Sequence, residues 1–386
     1  MIITDGHGRQ PKGIALALSG GGVRAAAFHA GVLQYLAEHD KLEEIVEISS
    51  VSGGSLFTGL VYAATGYEWP SSRQYLEKTL PHVRSVLTTT DLQGNSIARL
   101  LLNPCNWRFI LSRANVVTQS LKALWGIDAT LGQIPEFPSW SINGTAGETG
   151  KRFRFKNGSM GDWTLGYAEV ASFPLQDALA VSAAFPGGIG PLAVPVQNVT
   201  WKSRERYGLS IEPDLPKPAF SKLHLYDGGL YDNLGMEPFF DITKQAIKRR
   251  SETILEQILV SDGGAPVATS RIPSVLNPWR FKRMMDIMSD QQRALRVRSF
   301  VGFLQKDNDR GAYIQLGSNA EETIRKYGEG RANQAKLLSR KWLGTESVNQ
   351  TASYPTNLKR MAPSVFDLLA LNGYETAMWN LELFAT

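Results

Sequence analysis

The chain has 386 residues, 43% hydrophobic and 20% charged, and its 41 Lys and Arg against 36 Asp and Glu leave a formal net charge of +5. This is a globular composition, long enough for one large or two ordinary domains. It excludes a helical membrane span, because the apolar runs fall short of the ~20 residues needed. A single cysteine, Cys105, likewise excludes an internal disulfide framework or a Cys/His zinc module.

The first residues, MIITDGHGRQPKG, lack the basic-then-apolar order of a signal peptide, so a cytoplasmic protein is expected. Gly13 to Leu18 (GIALAL) reads as a short buried strand, followed by the glycine turn Ser19–Gly22 and a helix over Val23–Glu38. Ile45–Val51 reads as a second buried strand. A small-residue turn and an apolar helix from Ser55 to about Ala64 follow it. Strand, turn, helix, repeated, is the pattern of a parallel α/β sheet.

From about Gly66 to Ile134 the pattern becomes helical, aromatic and amphipathic, as in an inserted cap. No acidic residue lies between Asp91 and Asp128, while Arg99, Arg108, Arg113 and Lys122 alternate with apolar residues. Such a segment either lies on a membrane interface or packs its apolar side on the core.

Strand signals resume at Trp140–Ile142, Phe153–Phe155, Leu192–Val194, Leu223–Tyr226 and Ile258–Val260. Phe281–Phe300 reads as a helix with Phe281, Met284, Met285, Met288 and Leu295 on one face. Ala312–Leu316 reads as a late strand, and Val365–Phe384 as a last apolar helix. No basic tail or common nucleic-acid module is visible, so no nucleic-acid polymer is expected as partner.

The two glycine turns fall at the carboxyl ends of predicted parallel strands, where open α/β sheets bind ligands. Gly20, Gly21 and Gly22 leave backbone N–H groups open at a helix start, which suits an anion or the oxyanion of acyl transfer. At the second turn, Ser50-Val51-Ser52-Gly53-Gly54 differs from the G-x-S-x-G elbow in one residue, Ser50. Ser52 is the candidate nucleophile. A serine needs a base. Only His82 and His224 follow it among the histidines, and neither has a marked acid partner. Asp227 is better marked, at the end of a predicted strand in LYDGGLYDNLG. Asp262, in Ser261-Asp262-Gly263-Gly264, repeats the local pattern and is the alternative base.

The chain resembles the bacterial patatin-like phospholipases, which are related in core fold to cytosolic phospholipase A2. The resemblance rests on Gly20-Gly21-Gly22-Val23-Arg24, the elbow at Ser52, Ser182-Ala183-Ala184-Phe185-Pro186, and Asp227-Gly228-Gly229 with Asp232-Asn233-Leu234-Gly235 behind it. Ile142–Phe155, Met160-Gly161-Asp162 and Leu371-Asn372-Gly373-Tyr374 extend it over most of the chain. It implies one patatin-like domain over 10–386, a three-layer α/β fold with a central mostly parallel sheet, and a helical cap insertion at 66–134. It implies a Ser52–Asp227 dyad without histidine and an oxyanion hole of Gly21 and Gly22, with Gly20. Arg24 would hold the glycine loop or a lipid phosphate. The substrate would be a membrane phospholipid, with no metal or cofactor, and the protein would sit peripherally on the inner membrane.

Two other readings are open. Some bacterial members of the family are anti-phage effectors that respond to cyclic nucleotides, so a small-molecule activator of that kind is a candidate partner. From the residues alone, Gly20–Ala25 also fits G-x-G-x-x-G/A, which would make the chain a dinucleotide-binding oxidoreductase. That reading wants an acid at the end of the second strand, where the sequence has serines.

Overall fold

The computed structural model describes residues 12–204, 211–214, 218–249, 253–265, 269, 271–274, 277, 279–306 and 308–384. Its centre is set by β1 (Lys12–Leu18). Successive side chains of a strand point to opposite faces. Ile14, Leu16 and Leu18 enter one hydrophobic cluster, and Ala15 and Ala17 enter another on the far side of the sheet. Two apolar faces require two covering layers, and that is the origin of the three-layer α/β architecture.

The strands are β2 (Ile45–Val51), β3 (Ser139–Ala146), β4 (Arg152–Lys156), β5 (Ser159–Asp162), β6 (Gly166–Glu169), β7 (Leu192–Pro195), β8 (Lys202–Arg204), β9 (Ile211–Asp214), β10 (Lys222–Asp227), β11 (Phe240–Asp241), β12 (Ala246–Ile247), β13 (Ile254–Asp262) and β14 (Gly311–Gln315). The main sheet runs β14-β13-β1-β2-β3-β4-β5-β6-β8-β9, while β11 and β12 form a separate pair. From β14 to β3 every pairing is parallel. From β3 outward the pairings are antiparallel.

One edge of β3 is shared. Its first half pairs with β2, from Ser139 against Glu47 to Asn143 against Val51. Its second half pairs with β10, from Gly144 against Asp227 to Ala146 against Leu225. Because β10 is antiparallel to β3 and β2 is parallel to it, the carboxyl ends of β2 and β10 meet. This junction positions the site.

On the larger apolar face lie α1 (Gly22–Glu38) and α2 (Gly53–Ala63), the helices that β1 and β2 feed. The next segment is helical: α3 (Ser72–Gln74), α4 (Leu80–Thr89), α5 (Leu92–Leu102) and α6 (Ala114–Trp125). Its inward side joins the main core through Tyr75, Val83, Leu92, Val117, Leu121 and Trp125. The helices α7 (Leu175–Ser182) and α8 (Gly229–Asp232) flank the site.

The opposite face is covered by α9 (Trp279–Leu304). The helix expected over Phe281–Phe300 forms, and of the residues expected on one face Met284, Met288 and Leu295 are 56%, 57% and 62% exposed, while Phe300 and Phe303, near the carboxyl end, are the side chains that enter the core. The amino-terminal half of α9 overhangs the sheet, and this face of the helix is turned to solvent. The side chain of Phe281 lies outside the described residues. After β14 come α10 (Ala320–Tyr327), α11 (Gln334–Leu338), α12 (Thr345–Ser353) and α13 (Pro363–Leu383), which packs along α1. No helix among the described residues is long and apolar enough to cross a membrane.

Candidate active site

Ser52 stands between the end of β2 and the start of α2 with φ 49° and ψ −117°. This conformation is strained for a residue with a Cβ and costs about 1–3 kcal/mol. The reversal brings α2 against the first glycine turn. A Cβ on Gly53 would lie 2.2 Å from the Gly22 carbonyl oxygen, and one on Gly54 would lie 2.5 Å from that of Leu18. The Gly54 N–H donates to the Ser19 carbonyl at 3.1 Å. Only glycine permits the two turns to touch.

The motif's first glycine is Ser50 here, and the strained elbow forms regardless. The Ser50 hydroxyl has a place of its own. Ser182 Oγ donates to the Asn143 carbonyl at 2.7 Å, so its one proton is committed and it must accept from Ser55, 2.8 Å away. Ser55 then accepts from Ser50 at 2.8 Å, and Ser50 accepts from the Trp140 indole N–H at 2.8 Å. Ser182 Oγ also accepts the Ser52 backbone N–H at 3.0 Å. All four side chains are buried. This directional chain fixes the elbow from below. It is the part of the site that the sequence did not show: Ser182 was visible as part of a motif, but its attachment to Ser52 spans 130 positions.

Asp227 ends β10 and is buried. One carboxylate oxygen accepts the Gly229 N–H at 2.7 Å. Ser52 lines the same cleft as Asp227, at the adjoining end of β2. Burial raises the carboxyl from 3.8 to about 7, with the Gly229 amide and Ser52 opposing the shift. A base poised near neutrality suits proton transfer at ordinary pH.

Not all three glycines of the first turn are equivalent. The Gly20 N–H donates to the Asn233 carbonyl at 3.0 Å, so it is not free for an oxyanion, contrary to expectation. The Gly21 and Gly22 amides have no acceptor among the described residues, and the same holds for Gly53, the first residue of α2. First-turn amides of a helix have no intrahelical partner. Together they leave open donors beside Ser52. Arg24 is buried, and its guanidinium donates to the carbonyls of Gly263 at 3.2 Å and Tyr354 at 2.6 Å. Burial lowers it to about 10 in spite of the nearby Asp262 carboxylate. Arg24 therefore ties the glycine turn to two neighbouring loops, though it also lines the cleft.

The alternative bases are elsewhere. His224 is 48% exposed at its side chain and faces Glu148 at 2.6 Å, and His82 is exposed on α4. Asp262 is enclosed, accepting from Arg293 at 2.7 Å, from the Gly264 N–H at 2.9 Å and from the Tyr313 hydroxyl at 2.5 Å. It anchors α9. His29 is also buried, between Ser261 Oγ and the Ser19 carbonyl, and burial lowers it to about 4. A neutral ring there supports the glycine turn from behind.

A pyrophosphate cradle at Gly20–Ala25 would need the start of α1 to be open. Instead the Val23 N–H donates to the Asn357 carbonyl at 3.0 Å, and that carbonyl lies 2.3 Å from where a Gly22 Cβ would be. Among the described residues no cluster of His, Cys, Asp and Glu has metal-ligating geometry.

Ser52 and Asp227 open on a cleft of about 800 Å³. One side is apolar, built from Ile97 and Leu100 on α5, Val116 and Val117 on α6, and Ile189. The overhanging half of α9 supplies polar groups, including Arg283 and Asp290, on another side.

Comparisons with known proteins bear on the fold and the family. The family model described as patatin-like phospholipase matches residues 16–240, more than half of the chain. No curated protein matches the chain in sequence. Among solved structures, human GIVD cytosolic phospholipase A2 superposes with a TM-score of 0.54 at 13% identity, covering 96% of this chain and 59% of that one. The chain thus spans less than two thirds of that enzyme's length. VipD from Legionella pneumophila aligns with a TM-score of 0.36 at 13% identity, over 99% of this chain and 69% of that one.

Proposed function

This chain belongs to the patatin-like phospholipase family, and on that footing we propose that it is a serine lipid acyl hydrolase with Ser52 as nucleophile and Asp227 as base. The observation that carries this is the placing of the strained Ser52 and the buried Asp227 at adjoining strand ends on one cleft, beside open backbone amides. Membership of the family supports a lipid hydrolase; the dyad is our reading of the geometry.

Ser52 Oγ attacks the ester carbonyl carbon while its proton passes to Asp227. The oxyanion takes hydrogen bonds from the amides of Gly21, Gly22 and Gly53, each of which typically lowers the barrier by roughly 3–4 kcal/mol. Collapse breaks the ester C–O bond, and Asp227 returns the proton to the departing alkoxide. Water then attacks the acyl-serine carbonyl, giving a proton to Asp227; collapse breaks the acyl–Oγ bond, Asp227 returns the proton to Ser52 Oγ, and the fatty acid leaves. The Ile97, Leu100, Val116 and Val117 side of the cleft suits a long acyl chain. We therefore assign the substrate as a fatty-acyl ester of a phospholipid.

The test is mass-spectrometric product analysis on defined phospholipids. The parent protein should release fatty acid and lysophospholipid, and Ser52→Ala and Asp227→Asn should release neither. Fatty-acid release by Ser52→Ala at the parent rate would overturn the assignment. A hydrolase held latent until a small molecule binds would share this dyad. It would show turnover only after an activator, cyclic dinucleotides among those to be tried, is added.

A further inference from the structure

Between α5 and α6 the chain turns its apolar residues outward. Leu101, Leu102, Trp107, Ile110 and Leu111 are 59–83% exposed, within one stretch of eleven residues, 101–111. Scattered apolar residues on a surface need no explanation, but a contiguous group does. The stretch is also shaped. Asn106, itself buried, donates to the Arg99 carbonyl at 3.1 Å and exchanges side-chain hydrogen bonds with Gln119 at 3.1 and 2.9 Å. The Trp107 indole N–H donates to the Leu101 carbonyl at 3.2 Å. These bonds hold a preformed tip with its apolar side chains facing solvent.

Two observations say what covers it. The first is charge: no acidic residue occurs between Asp91 and Asp128, while Arg108 lies within the tip and Arg113 just beyond it, both exposed. The second is continuity with the cleft. Ile97, one helical turn before Leu101, lines the cleft and is itself 50% exposed. Ile97 and Leu101 thus place exposed apolar side chains one turn apart, linking the cleft mouth to the tip along α5. A soluble protein partner would leave that continuity without a purpose, whereas a lipid bilayer uses both ends of it.

We propose that residues 101–111 form a wedge that enters the interface of an anionic phospholipid bilayer. The leucines, Ile110 and Trp107 sit at the headgroup–acyl boundary, and Arg108 and Arg113 pair with phosphates. Docked in this way, the cleft mouth at Ile97 opens toward the bilayer, so an acyl chain reaches Ser52 without crossing water. The proposal rests on the reading of this cleft as a lipid acyl hydrolase site, but its test does not depend on turnover.

Cys105 lies in the tip, is exposed, and is the only cysteine of the chain. An environment-sensitive fluorophore on Cys105 of the Ser52→Ala protein reports immersion with catalysis removed. With vesicles of phosphatidylglycerol and phosphatidylcholine the emission should shift to the blue. Affinity should rise with the phosphatidylglycerol fraction and fall with added salt. The double variant Leu102→Ser, Leu111→Ser should bind vesicles about tenfold or more weakly. It should still hydrolyse a water-soluble short-chain ester at the parent rate, which shows that the fold is intact. An unshifted label with vesicles, or parent-like vesicle binding by the double variant, would overturn the wedge. So would a blue shift that depends on protein concentration without lipid, which would assign the tip to a second copy of the chain. Vesicle binding by a protein that never hydrolyses lipid would remove the enzymatic reading and leave the wedge standing.

Discussion

Ser52 and Asp227 occupy the meeting point of two strand ends on one edge of β3. Val51 pairs with Asn143, and Asp227 pairs with Gly144, the next residue. The hydroxyl is thus delivered from one direction and the carboxylate from the other, by ordinary backbone pairing.

Burial sets the working range of this pair. Asp227 is raised from 3.8 to about 7, and a base must be ionised, so turnover should climb with pH, with its midpoint near 7. Stability should run the other way. The native state keeps the Asp227 proton up to about pH 7, and the unfolded chain releases it near pH 4. Between these values the native state binds more protons, so this contribution to stability is full at low pH and declines as pH rises. Asp227→Asn should lose turnover, and its melting temperature relative to the parent should increase between about pH 5 and about pH 8. A parent kcat that is flat across that range would argue against Asp227 as the base.

The elbow strain at Ser52 has a thermodynamic signature. Glycine tolerates the backbone angles that serine resists, so Ser52→Gly should be inactive yet more stable than the parent, by about 1 kcal/mol or more. Ser52→Ala should be equally inactive without the gain. Denaturant unfolding of the three proteins measures both differences.

Ser50 offers a contrast, because glycine at this position would match the usual elbow. Removing its hydroxyl leaves the buried Trp140 N–H without its acceptor, so Ser50→Gly should cost about 1–3 kcal/mol. Ser182→Ala removes the acceptor of the Ser52 N–H and should lower kcat by about 10- to 100-fold with little change in KM. Steady-state kinetics beside unfolding curves separate the two effects. A Ser182→Ala enzyme with the parent kcat would show that the elbow holds its shape unaided.

Arg24 can be read as a clamp or as a phosphate site, and one substitution distinguishes them. Lysine cannot reproduce the fork that reaches both the Gly263 and Tyr354 carbonyls. As a clamp, Arg24→Lys should lose about 1–2 kcal/mol of stability together with some kcat. As a phosphate site it should raise KM for phospholipid and leave stability unchanged.

Much of this was present in local pattern. The alternating run of β1, the helical spacing after each glycine turn and the small residues around Ser52 all report short-range sterics, and short-range sterics can be read along the chain. Local pattern stops short where packing decides. The spacing that puts Met284, Met288 and Leu295 on one face of α9 does not say whether that face is buried, and it is exposed. Gly20 has the composition of an oxyanion donor, but its amide is taken by Asn233, more than two hundred residues away.

The two aspartates state the division most sharply. Asp227 and Asp262 each end a strand, and each precedes two glycines. The sequence by itself determined those strand ends, the glycine turns and a serine elbow, since backbone sterics at a few neighbouring residues suffice for each. Which aspartate meets the serine was decided only by tertiary structure. β10 runs antiparallel into the end of β2 along β3, whereas β13 lies beyond β1 and its Asp262 closes on Arg293 and Tyr313. Strand order is a property of pairings between distant segments, and no local pattern around either aspartate contains it.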